Sequence, residues 1–409
     1  MGWLVPREEL TLDQWRAIDM PVNEHQVILG GPGSGKTIAL VYRAWRLCNK
    51  HQIRHDRFRI FAFTNVLKRY IQSGVSDLGL PQNCVQTLDD WCVHYYQNHI
   101  GPAVPWDVVR RRPDFPETRQ AVLAARLGMP PDYEFALVDE GQDLDLVRFE
   151  LLKKIAKHIT VCVDQKQQIF DEGSTEEEIV RTLGLRRGNV TLLDAYRCCP
   201  YIVRTAAEFI PDDAERAAFL NQGPMAQTER QTLLLYMARD FNDEMKRLVE
   251  IVRERQIVDQ RIAILFYRNN QVHGFTTGLR EEGLEVETRE ALDFDSGAPK
   301  VLTLHSAKGL TFDTVIMPRL RQAAFPPLMT TSRREKLLFV GITRATKWVY
   351  LSAEDSQAIS ELDRVKKLSR LPNAPVTLQS WHDGPSSQPE GKLPREEDPD
   401  SPTDLLDLL

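Results

Sequence analysis

The stretch QVILGGPGSGKT, residues 26–37, decides the fold. Val27, Ile28 and Leu29 form a short apolar run that leads straight into a glycine-rich turn, and from Gly30 to Thr37 the chain satisfies G-x-x-x-x-G-K-[ST] at every fixed position. Gly31, Gly33 and Gly35 let backbone N–H groups converge on phosphate oxygens, where larger side chains would stand in the way. The helix predicted to open after the loop adds a partial positive charge at its N-terminus. In this arrangement Lys36 reaches the β- and γ-phosphates and Thr37 ligates Mg²⁺. The expectation is a nucleotide site on the first strand–helix unit of an α/β sheet.

A second acidic element narrows the chemistry. FALVDEGQD, residues 135–143, carries four apolar residues into Asp139 and Glu140, which places both carboxylates at the C-terminal end of a buried strand. Open α/β sheets put their ligand contacts at that end. Asp139 is expected to hold Mg²⁺, and Glu140 to orient and deprotonate an attacking water. A glutamate beside the metal-binding aspartate favours hydrolysis over transfer to a bound acceptor.

Outward from these motifs the pattern repeats. FRIFAFT and TVCVDQ read as further buried strands, and amphipathic stretches at 38–50 and 146–158 read as helices. In the second half TLLLYM, RIAILFY, KVLTLH, DTVIMP and WVYLSA alternate with a helix-like stretch at 241–255. Such alternation predicts parallel sheets covered by helices on both faces. No sequence repeat at a fixed period is visible. Two successive α/β domains fit, at 1–194 and 195–381.

Composition excludes the remaining classes. The 409 residues are 42% hydrophobic and 27% charged, which excludes a wholly disordered or fibrous chain. No apolar run is long enough to span a bilayer, and the opening MGWLVPREEL is too short and acidic for a leader, so a cytoplasmic, non-membrane protein is expected. The six cysteines make no CxxC pair, which points to reduced thiols. The net charge of −6 is located rather than spread. Residues 382–409 hold eight acids, two bases and five of the 24 prolines, so residues 1–381 are neutral overall. The tail reads as a disordered, self-repelling extension. Basic clusters such as Arg110, Arg111 and Arg112 remain available for local use.

With these motifs and those that follow, the chain resembles the UvrD/Rep-type superfamily 1 helicases from about residue 10 to residue 352. LTLDQWRAI looks like the Q motif, IFAFTNVLKRYI like motif Ia, QTLDDWC like Ib, and DEGQD like II. CVDQKQQIF is similar to motif III, LLDAYRCCPYIV to IV, IAILFYRNN to IVa, VLTLHSAKGLTF to V and LLFVGITRAT to VI. The resemblance implies two RecA-like P-loop NTPase domains that hydrolyse ATP with Mg²⁺ and act on single-stranded DNA or RNA. It implies that Gln14 reads the adenine edge, that Tyr196 stacks on the base, and that Ser34 and Gly309 join the nucleotide site. Arg197 and Arg344 would bring cations to the γ-phosphate, and Gln167 would sense it. Phe63, Thr64, Thr87, Thr303 and His305 would line the strand, with Phe63 either a base platform or a core residue.

Several positions depart from the family pattern. Where an aromatic-Arg-Gly segment commonly follows motif III, this chain has FDEGSTEEEI, with Glu172 near the expected aromatic. Thr311 replaces the usual glutamate of motif V, and Ile38 the usual arginine after GKT. Only about 40 residues, 93–132, separate motif Ib from motif II, and residues 271–300 leave room for a helix, a strand and a turn. Both accessory insertions, 1B and 2B, are therefore reduced or absent. The leading expectation is an ATP-driven translocase with 3′→5′ polarity. The competing one is a nucleotide-gated module that grips a protein partner such as a separate nuclease. The tail ends in SPTDLLDLL, whose Leu405, Leu406, Leu408 and Leu409 form either one face of a docking helix or part of a solubilising end.

Overall fold

The computed structural model describes residues 3–164, 173–186, 190–193, 198–221 and 231–383. Gln167, Glu172, Tyr196, Arg197 and the tail beyond residue 383 lie outside them. The chain divides into two compact units, Met1–Ala195 and Tyr196–Leu409.

In the first unit α1 (Leu12–Asp19) precedes β1 (Gln26–Gly30), which leads through the glycine loop into α2 (Lys36–His51). Then come β2 (Phe58–Ala62), α3 (Asn65–Asp77), β3 (Val85–Thr87) and α4 (Leu88–His99). A small antiparallel hairpin, β4 (Trp106–Asp107) with β5 (Arg112–Pro113), leads to α5 (Phe115–Ala125), β6 (Tyr133–Val138), α6 (Leu146–Ile155) and β7 (Ala156–Val163). The unit closes with α7 (Glu176–Thr182) and β8 (Val190–Leu193). Its main sheet is all parallel in the order β3-β2-β6-β7-β1-β8.

The second unit runs α8 (Pro200–Ala207), α9 (Asp213–Asn221), β9 (Leu233–Ala238), α10 (Phe241–Val258), β10 (Ile262–Phe266) and α11 (Asn269–Glu281). It continues with β11 (Lys300–Thr303), β12 (Phe312–Met317), α12 (Thr331–Ile342), β13 (Ala345–Glu354), α13 (Leu362–Leu368) and β14 (Val376–Ser380). This sheet is also all parallel, in the order β11-β10-β12-β13-β9-β14. Counted within each unit, the six main strands stand in the same order in both. Both sheets are RecA-like.

Central strands are apolar on both faces because helices cover both. Phe61, Val138 and Val161 pack with Trp91, Phe149 and Leu152 in the first unit. Ile264, Ile316 and Tyr350 pack with Leu248, Val252 and Phe275 in the second. Each such side chain contributes about 1.5–3 kcal/mol when fully buried.

The structure moves several expected boundaries. The helix expected at 146–158 stops at Ile155, since Ala156 and His158 pair with Tyr133 and Phe135 of β6. The edge strands β3, β8 and β14 were not expected, being only three to five residues long. Between α11 and β11 the expected strand is reduced to a single bridge, Glu287 to Lys300, beside a short 3-10 turn at Arg289–Ala291. No helix among the described residues is long and apolar enough to cross a membrane.

Candidate nucleotide site and nucleic-acid surface

The site lies at the C-terminal ends of β1, β6 and β7, which are brought together by the strand order. Gly33 and Gly35 hold positive φ of 73° and 82°, a conformation that L side chains rarely adopt. Gly35 is the N-cap of α2 and offers no side-chain cap, so the first N–H groups of that helix keep their capacity for an anion. Lys36 Nζ donates to the carbonyls of Gly30 and Gly31 at 2.8 and 3.0 Å and to Asp164 Oδ2 at 3.2 Å. The Ser34 hydroxyl is buried without a hydrogen-bond partner. A glycine loop, a lysine and a buried unpartnered hydroxyl fit a polyphosphate.

Thr37 and Asp139, the residues expected to hold a metal, are placed as closely. Thr37 Oγ1 donates to Asp139 Oδ2 at 2.7 Å, and Asp139 Oδ1 accepts the Glu140 N–H at 3.0 Å. Asp139 is completely buried, and its carboxyl is raised to about 6 by that burial, with the neighbouring Glu140 charge adding to the effect. Two hard oxygens at this spacing, one on a carboxylate that burial leaves in need of positive charge, suit Mg²⁺.

Glu140 sits in the left-handed region at φ 54°. Its carboxylate accepts from Gln142 Nε2, and Gln142 Oε1 accepts the Asp164 N–H at 3.0 Å. Gln142 therefore ties Glu140 to Asp164, the partner of Lys36. The DEGQD motif by itself gives this glutamine no role, because the link depends on β7 lying beside β6. The same packing explains Gly141, where a Cβ would meet Val161 Cγ1 at 2.2 Å.

Gln14 is buried, with its amide shared between a capping box and the loop. Oε1 accepts the Thr11 N–H at 3.0 Å, and Nε2 donates to the Ser34 carbonyl at 3.2 Å. The Q-motif helix is thereby latched onto the phosphate loop. At its other end α1 is held by Arg43, an arginine with no exposed surface that donates to the carbonyls of Ala17, Ile18, Met20 and Pro21 and to Thr160 Oγ1. Burial lowers Arg43 to about 10, and burial with the Arg43 charge lowers the adjacent His158 to about 3. Nothing in the helical pattern of α2 distinguished Arg43 from a solvent-facing arginine.

Residues 10–113 match the family model of the UvrD/REP helicase N-terminal domain, and residues 297–356 that of the UvrD-like helicase C-terminal domain. Both models are of UvrD/Rep-type helicase domains, and together they cover less than half of the chain. A probable DNA helicase of Mycoplasma pneumoniae is 26% identical over 264 residues, covering 57% of this chain and 46% of that protein. The ATP-dependent DNA helicase UvrD1 of Mycobacterium leprae is 24% identical over 200 residues, 45% of this chain and 24% of the relative. A probable DNA helicase II homolog of Rickettsia conorii is 32% identical over 99 residues, 22% of this chain and 14% of the relative. The chain thus spans less than half the length of each of these relatives.

The residues expected to line a strand fall at strand ends in both units. Thr64 and Thr87 are N-caps of α3 and α4, accepting the N–H groups of Leu67 and Asp90 at 3.1 and 3.0 Å. Phe63, just past β2, is half-buried and packs against the core of the first unit. In the second unit Thr303 closes β11 and accepts the Ser306 N–H at 3.1 Å. His305 lies edge-on to Tyr267 with centroids 5.7 Å apart, and burial beside Arg333 and Lys308 lowers it to about 4. At neutral pH it is an uncharged ring. Gly309 has φ 78°. Arg344 is buried, and its guanidinium donates to the carbonyls of Val340 and Leu310 at 3.1 and 3.2 Å. Gln167, Tyr196 and Arg197 lie outside the described residues.

Proposed function

We propose that this protein is an ATP-dependent translocase on single-stranded nucleic acid, with DNA as the track and 3′→5′ polarity, as its likeness to UvrD/Rep helicases suggests. The observation that carries the reading is the continuous set Lys36–Asp164–Gln142–Glu140, with Thr37 and Asp139 bonded beside it. Thr37 and Asp139 would hold Mg²⁺, which would supply positive charge against the phosphates of a bound nucleotide. Lys36 screens the same oxygens, and the α2 N–H groups cradle them. Glu140 orients a water and accepts its proton, with Gln142 fixing the direction of the carboxylate. Hydrolysis is coupled to closure of the two RecA-like units, in which Arg197 and Arg344 act as cations toward the γ-phosphate. With 1B and 2B reduced, directional movement is the basic activity, and duplex opening follows only where ends fray.

The test is steady-state ATP hydrolysis with single-stranded DNA, single-stranded RNA, duplex DNA or nothing added. Stimulation by single strands, abolished in Glu140→Gln, is the expected result. Hydrolysis indifferent to every nucleic acid would sink the reading and favour nucleotide-gated gripping of a protein partner.

A further inference from the structure

The basic cluster noted in the sequence sits on the β4–β5 hairpin. Trp106 is 56% exposed, Val108 79% and Val109 77%, so an aromatic and two aliphatic residues face water on one short loop. Arg110 and Arg111 are exposed beside them, with Arg112 at the base. The loop is built to hold this form. Asp107 Oδ1 accepts the N–H groups of Val109 and Arg110, both at 3.0 Å, and Arg111 takes φ 50° to turn the chain back. Asp107 Oδ1 is engaged with the backbone, and its Oδ2 forms an ion pair with Arg110 Nε at the long distance of 3.8 Å.

The placement of the hairpin follows from the ion pairs behind it. Arg119 of α5 donates to Asp89 at 2.7 Å and to Asp145 at 3.4 Å, and Arg148 joins the same two aspartates. Asp89 lies in the first turn of α4, capped by Thr87, and Asp145 caps α6 after β6. The start of α5 is thus tied to the sheet end that carries Thr87 and Asp139. The Asp114 cap lies five residues before Arg119, about 7.5 Å along the helix, and its N–H donates to Pro105 O at 2.8 Å. The hairpin hangs directly from this cap, on the side of the unit where strand-contact residues are expected.

We infer that the β4–β5 hairpin is a single-stranded nucleic-acid contact, with Trp106 as a stacking face and Arg110, Arg111 and Arg112 as phosphate donors. An exposed aromatic interleaved with cations is the chemistry that grips a single strand. In a folded region without net charge, such a group supplies attraction that bulk charge does not. The inference rests on the reading above and deepens it.

The experiment is fluorescence-anisotropy titration of labelled oligo(dT) with the full chain over a range of salt. Replacing all three arginines by alanine is expected to flatten the slope of log affinity against log salt by about 2, at roughly 0.7 for each phosphate no longer neutralised. The triple lysine variant should keep that slope. Trp106→Ala is expected to weaken binding roughly 5- to 100-fold with little change in salt slope, because stacking carries no counterion release. All variants should melt at the wild-type temperature, since the loop buries little. If wild type binds oligo(dT) and the alanine variants bind equally well, the hairpin assignment falls while the translocase reading stands. If wild type binds neither oligo(dT) nor oligo(U), both fall.

Discussion

The two units share one strand order and part company at the strand ends. In the first, the helix after the leading strand opens with Gly35, Lys36 and Thr37, and its first turn holds no acid. In the second, the helix after β9 is capped by Asp240 and carries Asp243 and Glu244 in its first turn. Two residues past β6 stands Glu140 at φ 54°, and two residues past β12 stands Arg319 at φ 60°. Asp164 follows β7, and Glu354 ends β13. Both units thus place charged groups at the same three points of the topology, with opposite sign at two of them. In the second unit those groups satisfy one another. Glu244 accepts from the Arg319 backbone at 2.8 Å and from Ser352 at 2.6 Å, and the Arg319 guanidinium pairs with Glu244 and Glu354. A helix N-terminus already faced by buried carboxylates repels phosphate, whereas a bare one backed by lysine attracts it. The fold supplies the positions, and the side chains decide whether a position becomes a ligand site or a brace.

The largest expected effect sharpens this contrast most directly. Lys36→Ala should cut ATP turnover by on the order of 10²–10³-fold, the scale for losing one placed donor to a developing charge. Equilibrium titration with a fluorescent ATP analogue should find one site per chain, and two sites would break the contrast.

Next comes the brace itself. Arg319→Ala removes the guanidinium that pairs with buried Glu244 and leaves Glu354 only its longer contact to Arg321 at 3.6 Å, so urea unfolding should show a loss of about 3–5 kcal/mol. A variant as stable as wild type would mean that the triad is incidental.

Asp139 gives a smaller, pH-dependent effect. Its carboxyl is raised to about 6 from 3.8, so between those values the unfolded chain ionises while the folded one stays protonated. Metal-free stability therefore falls as pH rises through that window, and the loss is complete above it. Thermal melts in chelator should show Asp139→Asn gaining on wild type between pH 4 and pH 7. A difference that stays constant over that range would contradict the assignment.

The smallest effect concerns the caps. Thr87→Ala should cost about 1 kcal/mol by freeing the Asp90 N–H, and Thr87→Ser should restore it, as read by chemical denaturation.

Local signals were legible because each depends on neighbours in the chain. The phosphate loop, the apolar run into Asp139 and Glu140, and most central strands are patterns of a dozen residues or fewer, and the structure has them where the pattern put them. β3, β8 and β14 were missed because runs of three to five residues are too short to show a period of their own. The overrun of α6 into β7 has a similar cause, since Ala156 and His158 join a strand through pairing with β6 rather than through their own preference.

By itself, then, the sequence determined that this chain carries a phosphate loop, a carboxylate pair after a buried strand, and family motifs in order. These are contiguous, and contiguous residues are placed by backbone geometry alone. Only the tertiary structure decided that Gln142 ties Glu140 to Asp164, that Arg43 is a buried anchor for the Q-motif helix, and that the second sheet repeats the first with its charges changed. Each of those facts depends on which strands lie side by side, and parallel strands are joined through crossovers that leave no mark in local sequence.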